Sequence, residues 1–149
     1  MKNTAIHKIK FLSRISFFLL IFISSCCLFK TDSPDLRITG QNFPSTANAN
    51  QTFSISFTIA NISSGECDAA ATNESSVNLK MVNRATGYLQ VNNTYALTSL
   101  DNNISRTITA TVNIGTAGTY DLTFIVDPNN TAGQSNRLND TYTATIIIN

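Results

Sequence analysis

Residues that commonly do chemistry at neutral pH are sparse in this 149-residue chain. The single histidine is His7, and the three cysteines are Cys26, Cys27 and Cys67. Imidazole is the usual general base near neutrality. With its only imidazole in a segment expected to be removed, the chain offers no Ser-His or Cys-His nucleophile. The same scarcity disfavours a zinc site built from imidazoles or several thiolates. Paired carboxylates hydrolyse glycosides in many enzymes, yet here no pair stands out by position and there is no Trp to stack on a sugar. The sequence therefore assigns no catalytic residue, no cofactor and no metal, and it reads as a non-enzyme.

Cys26 is the residue with the clearest chemical role. Lys2, Lys8, Lys10 and Arg14 form a cationic start, Ile15 to Ile23 is an apolar stretch, and Ser24 and Ser25 are the small residues ahead of Cys26. That order is the order of a signal peptide. The apolar stretch is shorter than the about 20 residues a spanning helix needs. Ile23-Ser24-Ser25-Cys26 resembles the bacterial lipobox, in which the cysteine is lipidated and becomes the new N-terminus. Residues 1–25 are thus expected to be a lipoprotein signal peptide and residues 26–34 a tether held to the membrane by lipid on Cys26. Two or more acyl chains anchor stably where one is marginal. An ordinary secretory signal is the alternative. Cys27 stands where Asp would stand in the familiar inner-membrane retention signal, so the expected location is the cell envelope, with the outer membrane or cell surface favoured.

Loss of the signal peptide removes four cations and no acid, turning a net charge of +1 into −3. Phosphate recognition needs clustered Lys and Arg, so nucleic acid is not an expected partner. Cys67 has no evident base or cation to lower its pKa. It is left as a free thiol, as half of a disulfide with Cys27 in an oxidising compartment, or as an intermolecular link. Glu66, Asp68 and Glu74 surround it in the polar stretch 61–75, a candidate partner-contact loop that the Asp127 to Asn139 loop could extend. The alternative is a solvated insertion. Asp127 is a candidate calcium ligand, although Asp127-Pro128-Asn129-Asn130 is also a good turn sequence.

These positions need a scaffold, and strict alternation supplies it. Phe53, Ile55, Phe57 and Ile59 alternate with Thr and Ser, as do Ile108, Ala110, Val112 and Ile114, then Tyr120, Leu122, Phe124 and Val126, then Tyr142, Ala144, Ile146 and Ile148. A period of two places one apolar face on a strand. Shorter candidates are Leu36 to Thr39, Val77 to Val82 and Tyr88 to Leu97, the last with a break at Asn92-Asn93. Thr86-Gly87, Asp101-Asn102-Asn103 and Gly115 to Gly118 mark turns. About seven short strands with one apolar face predict an all-β, immunoglobulin-like antiparallel β-sandwich over residues 35–149. In such a fold Tyr120, opening the penultimate strand, fits a tyrosine corner better than a ligand-stacking site.

From Pro34 onward the chain resembles the CARDB family, the cell-adhesion-related domain found in bacteria. The resemblance rests on Pro34-Asp35-Leu36, on Phe57 to Asn61 followed by Gly65, and above all on three late segments. These are Ala117 to Leu122, Val126 to Asn130, and Ser135-Asn136-Arg137-Leu138-Asn139-Asp140. The family pattern of the last segment is roughly Glu-Ser-Asn-Glu-x-Asn-Asn. Gln134 and Arg137 replace the two Glu, and Asp140 replaces the final Asn, so a cation site of the acidic version loses donors here. The resemblance implies a sandwich and a surface or adhesion role. The expected function is a lipid-anchored extracytoplasmic module binding a protein or glycan. The alternatives are an accessory subunit of an envelope assembly that uses an edge strand and, more remotely, an enzyme-inhibitor-like domain.

Overall fold

The computed structural model describes residues 33–63, 71–134 and 136–149. Eight strands and no helix occur among the described residues. They are β1 (Leu36–Asn42), β2 (Thr46–Ala47), β3 (Thr52–Asn61), β4 (Ser75–Asn83), β5 (Leu89–Leu97), β6 (Ser105–Asn113), β7 (Gly118–Val126) and β8 (Thr141–Ile148). One sheet has the order β1-β3-β6 and the other β2-β8-β7-β4-β5. Every pairing is antiparallel except the two-residue bridge of β2 to β8, which is parallel.

Alternation decides which face of each strand is inside. Ile55, Phe57 and Ile59 of β3 face Tyr120, Leu122, Phe124 and Val126 of β7, all at most 1% exposed. The Phe57 and Phe124 rings stack across the two sheets with centroids 3.8 Å apart and planes 18° from parallel. Phe43 and Tyr142 close against Phe57 edge-on or tilted. Offset ring packing of this kind adds to plain area burial.

The sequence reading is corrected at three places. The strand β5 runs unbroken through Asn92 and Asn93, because the Asn78 amide on β4 donates to Asn92 Oδ1 at 3.1 Å and to the Asn93 carbonyl at 3.3 Å. The strand β2 has only two residues and leaves no period to read. Both β1 and β4 extend beyond their apolar cores, to Asn42 and to Asn83, because backbone pairing continues where side chains are polar.

Turn chemistry agrees with the reading. Asn50, Asn103, Asp127 and Asn130 take positive φ, as do Gly87 at 70° and Gly118 at 151°. Asn and Asp tolerate this region better than other non-glycine residues. At Gly118 a Cβ would also sit 3.1 Å from the Asn83 amide nitrogen.

The strand directions create two ends. The entry end, where Leu36 begins β1, also holds the end of β3, the start of β4, the end of β5, the start of β6, the end of β7 and the start of β8. The far end holds the β4–β5 turn, the β6–β7 turn and residues 43–51.

Candidate functional site

At the entry end β7 finishes at Val126 and the chain turns at Asp127, whose φ is 45°. Its carboxylate is fully buried. Oδ1 accepts from Thr131 N at 2.7 Å and Thr131 Oγ1 at 3.0 Å, and Oδ2 accepts from Ala132 N at 3.1 Å. Both oxygens hold the turn, so the candidate calcium ligand acts as a staple of its own loop.

The next residues tie this loop to the chain entry. Gln134 Oε1 accepts from Leu36 N at 3.0 Å, and Gln134 Nε2 donates to Asp140 Oδ2 at 2.7 Å. Arg137 Nε donates to the same oxygen at 3.2 Å, and Arg137 Nη2 donates to the Asp127 carbonyl at 2.7 Å. Asn139 Nδ2 donates to Asp35 Oδ1 at 3.1 Å. Asp140 is 2% exposed, and its Oδ1 is buried with no hydrogen-bond partner among the described residues. Burial pushes the Asp140 carboxyl up, Arg137 opposes this, and the charges of Asp127 and Asp35 reinforce it. Three carboxylates thus share one neighbourhood with one guanidinium. Glu at positions 134 and 137 would deepen that negative field, whereas Gln134 and Arg137 relieve it.

Other loops join the same end. Asn61 Oδ1 accepts from Asp35 N at 3.2 Å and Ser63 N at 3.3 Å, while its Nδ2 donates to the Leu100 carbonyl at 3.1 Å. Thr72 N and Leu100 O pair at 3.0 Å, and Asn73 N donates to Ala132 O at 3.1 Å. The described part of the 61–75 stretch therefore packs beside the 127–139 loop, which brings together the two segments expected to contact a partner. Glu74 is exposed there. Glu66, Asp68 and Cys67 lie outside the described residues, as do Cys26, Cys27 and the signal peptide. Among the described residues no group of three or more His, Cys, Asp or Glu is placed to hold a metal ion.

At the far end Tyr120 Oη donates to the Thr116 carbonyl at 2.9 Å and the ring is 1% exposed, which is the tyrosine-corner arrangement. Tyr88 and Leu89 of the β4–β5 turn region are 66% and 43% exposed.

The sequence reading did not single out the outer face of the five-stranded sheet. Ser76, Asn78, Lys80, Asn92, Thr94 and Asn129 line a shallow groove of about 280 Å³, with Ile125 and Pro128 in it. Its signal was the polar half of the β4 alternation, Ser76, Asn78 and Lys80, which pure core-reading passes over. Such a surface can offer amides and hydroxyls to a polar ligand.

Two stacked sheets with a Tyr corner and a hydrogen-bonded entry end define an immunoglobulin-like β-sandwich domain. The CARDB family profile matches residues 33–144, and the chain belongs to that family. Among solved structures, the chain is similar to the crystal structure of a CARDB domain from Pyrococcus furiosus in complex with di-metal ions. The TM-score is 0.62 at 19% identity, over 81% of this chain and 93% of that one. A solution structure of the same archaeal domain gives 0.60 at 19% identity, over 77% and 94%. A domain of a protein described as a cell surface protein of Methanosarcina acetivorans gives 0.55 at 28% identity, over 78% and 92%. No curated protein matches the chain.

Proposed function

We propose that the protein is a lipid-anchored extracytoplasmic binding module without enzymatic activity, held to the cell envelope through Cys26. The observation that carries this reading is Ile23-Ser24-Ser25-Cys26, placed after a cationic and apolar leader and shortly before the first residue of a CARDB sandwich. The surface description of the Methanosarcina domain supports the same location. A protein or a glycan is the partner class, with the Glu74 side of the entry end, in the stretch that also carries Glu66 and Asp68, as one candidate contact. Fractionation of cells expressing the wild-type chain and Cys26→Ser tests the anchor. The wild type should partition with membranes and the variant should not. Equal membrane retention of both would overturn it.

A second reading, an accessory subunit that accepts a partner strand, is favoured by the edges of the sheets. The edge strand β1 carries Arg37 and a register shift at Ile38/Gly40. The edge strand β6 carries Arg106 opposite the buried Ile59. Charges and bulges of this kind protect edges from pairing. The strand β5 has a register shift of its own at Gln90, near its start, but beyond it runs regularly from Val91 to Leu97, has no charged residue over its nine positions and hydrogen-bonds to β4 alone, which leaves that stretch open to β-augmentation. Thr94→Pro should abolish capture of a stoichiometric envelope partner by this route while leaving a folded domain. Undiminished capture would remove the reading.

A further inference from the structure

We infer that the entry end of the sandwich rests on the lipid surface, with Leu138 entering the headgroup region, so that the far end bearing Tyr88 and Leu89 points away from the membrane. The inference rests on the anchor at Cys26 proposed above and deepens it into an orientation.

Leu138 is 98% exposed. Single surface leucines are common and by themselves mean nothing. This one differs in how it is held. Its own N–H donates to Asn136 Oδ1 at 3.1 Å. Its neighbours Arg137 and Asn139 are bonded inward, to Asp140, the Asp127 carbonyl and Asp35. Arg137 and Asn139 are thus fastened to the domain on either side, and the leucine side chain between them is presented outward. A side chain on a fixed turn pays little ordering cost on transfer to an apolar surface. Ile104, half exposed, lies on the same end, since its carbonyl accepts from Asn61 N at 3.0 Å and Asn61 Oδ1 accepts from Asp35 N.

Chain length decides which end meets the membrane. Eight Cα steps separate Cys26 from Pro34, at most about 28 Å of fully extended chain. Strands of nine residues such as β4 and β7 are also about 27 Å long. The far end reaches the surface only if the tether is drawn taut along the whole sandwich. The entry end, where Pro34 is buried and Leu36 N is fixed to Gln134, needs almost none of that length.

Charge does not supply the contact. Exposed Glu74 and Asp101 share this end with exposed Arg37 and Arg106, and the half-exposed Arg137 is spent on the buried Asp140. The contact is therefore apolar and indifferent to anionic lipid. One consequence is that partners approaching from outside meet the far end and the sheet faces first, and the contact proposed at Glu74 is left to partners that reach it alongside the membrane.

The chain has no Trp, so Leu138→Trp and Tyr88→Trp each introduce a single reporter at an exposed position. The lipidated full-length products are reconstituted in zwitterionic vesicles and in vesicles with added anionic lipid, with bromine on the acyl chains as quencher. Flotation with the vesicles reads the anchor, and quenching reads the orientation. The expected result is flotation of both variants, with several-fold stronger quenching and a blue-shifted emission for Leu138→Trp alone, alike in both lipid mixtures. Failure to float overturns the anchor and the orientation with it. Flotation with equal quenching of both reporters, with neither quenched, or with quenching of Leu138→Trp only on anionic vesicles overturns the orientation and leaves the anchor standing.

Discussion

Arg137 donates from Nε to the buried carboxylate of Asp140 at 3.2 Å and from Nη2 to the carbonyl of Asp127 at 2.7 Å, so one half-exposed guanidinium closes the loop between β7 and β8. It supplies the positive charge that three nearby carboxylates call for. Removing it strips the Asp127 carbonyl of this donor and leaves Asp140 with the neutral Gln134 amide but no cation, which costs more than an exposed ion pair is worth. Arg137→Met should destabilise the domain by about 1–3 kcal/mol, measured by urea denaturation. Adding Asp140→Asn should recover part of that loss, since the two residues act on one another.

Asp140 also sets a pH dependence. Its folded pKa lies above the ordinary carboxylate value, chiefly through burial. The folded state therefore binds the proton more tightly than the unfolded state does. This contribution favours folding when Asp140 is protonated and is lost as pH rises through the raised folded value. Asp140→Asn should flatten the stability profile as pH rises above the ordinary carboxylate range. An unchanged slope in urea midpoints would place the titration elsewhere.

Asp127 is a structural carboxylate on the geometry of its loop. Asp127→Ala removes the acceptors of three hydrogen bonds and places Ala at positive φ, with an expected loss of about 2–4 kcal/mol. Asp127→Asn should cost less, because an amide oxygen still serves Thr131 and Asn tolerates the backbone. The thermal melt of the wild type should not move with added calcium or with chelator. A rise in Tm with calcium would return Asp127 to the status of a ligand.

Tyr120→Phe tests the far end. It removes the bond to the Thr116 carbonyl and keeps the ring in the core, so about 1 kcal/mol should be lost. Affinity for an identified partner should stay as it is.

How much of this could be read beforehand follows from what each residue does. Alternation at Phe53 to Ile59 and at Tyr120 to Val126 announced β3 and β7, because a half-buried strand writes its inward face into every second side chain. Asn92-Asn93 was misleading because the residue that keeps β5 straight, Asn78, lies on a neighbouring strand. The turn at Asp127 was legible from its own four residues. Its connection to Leu36 through Gln134 was not, since 98 positions separate the partners. The 61–75 and 127–139 loops are each legible as polar stretches between strands, and strand register brings them to one end. That end is also the one where the chain enters, a relation that depends on strand direction and leaves no local mark in the sequence.

Attachment through Cys26 is decided by the mass of the mature N-terminal peptide. A chain beginning at Cys26, with a diacylglyceryl thioether on that cysteine, is the predicted result. A chain that begins at Met1, or at another residue with the Cys26 thiol unmodified or absent, would contradict it.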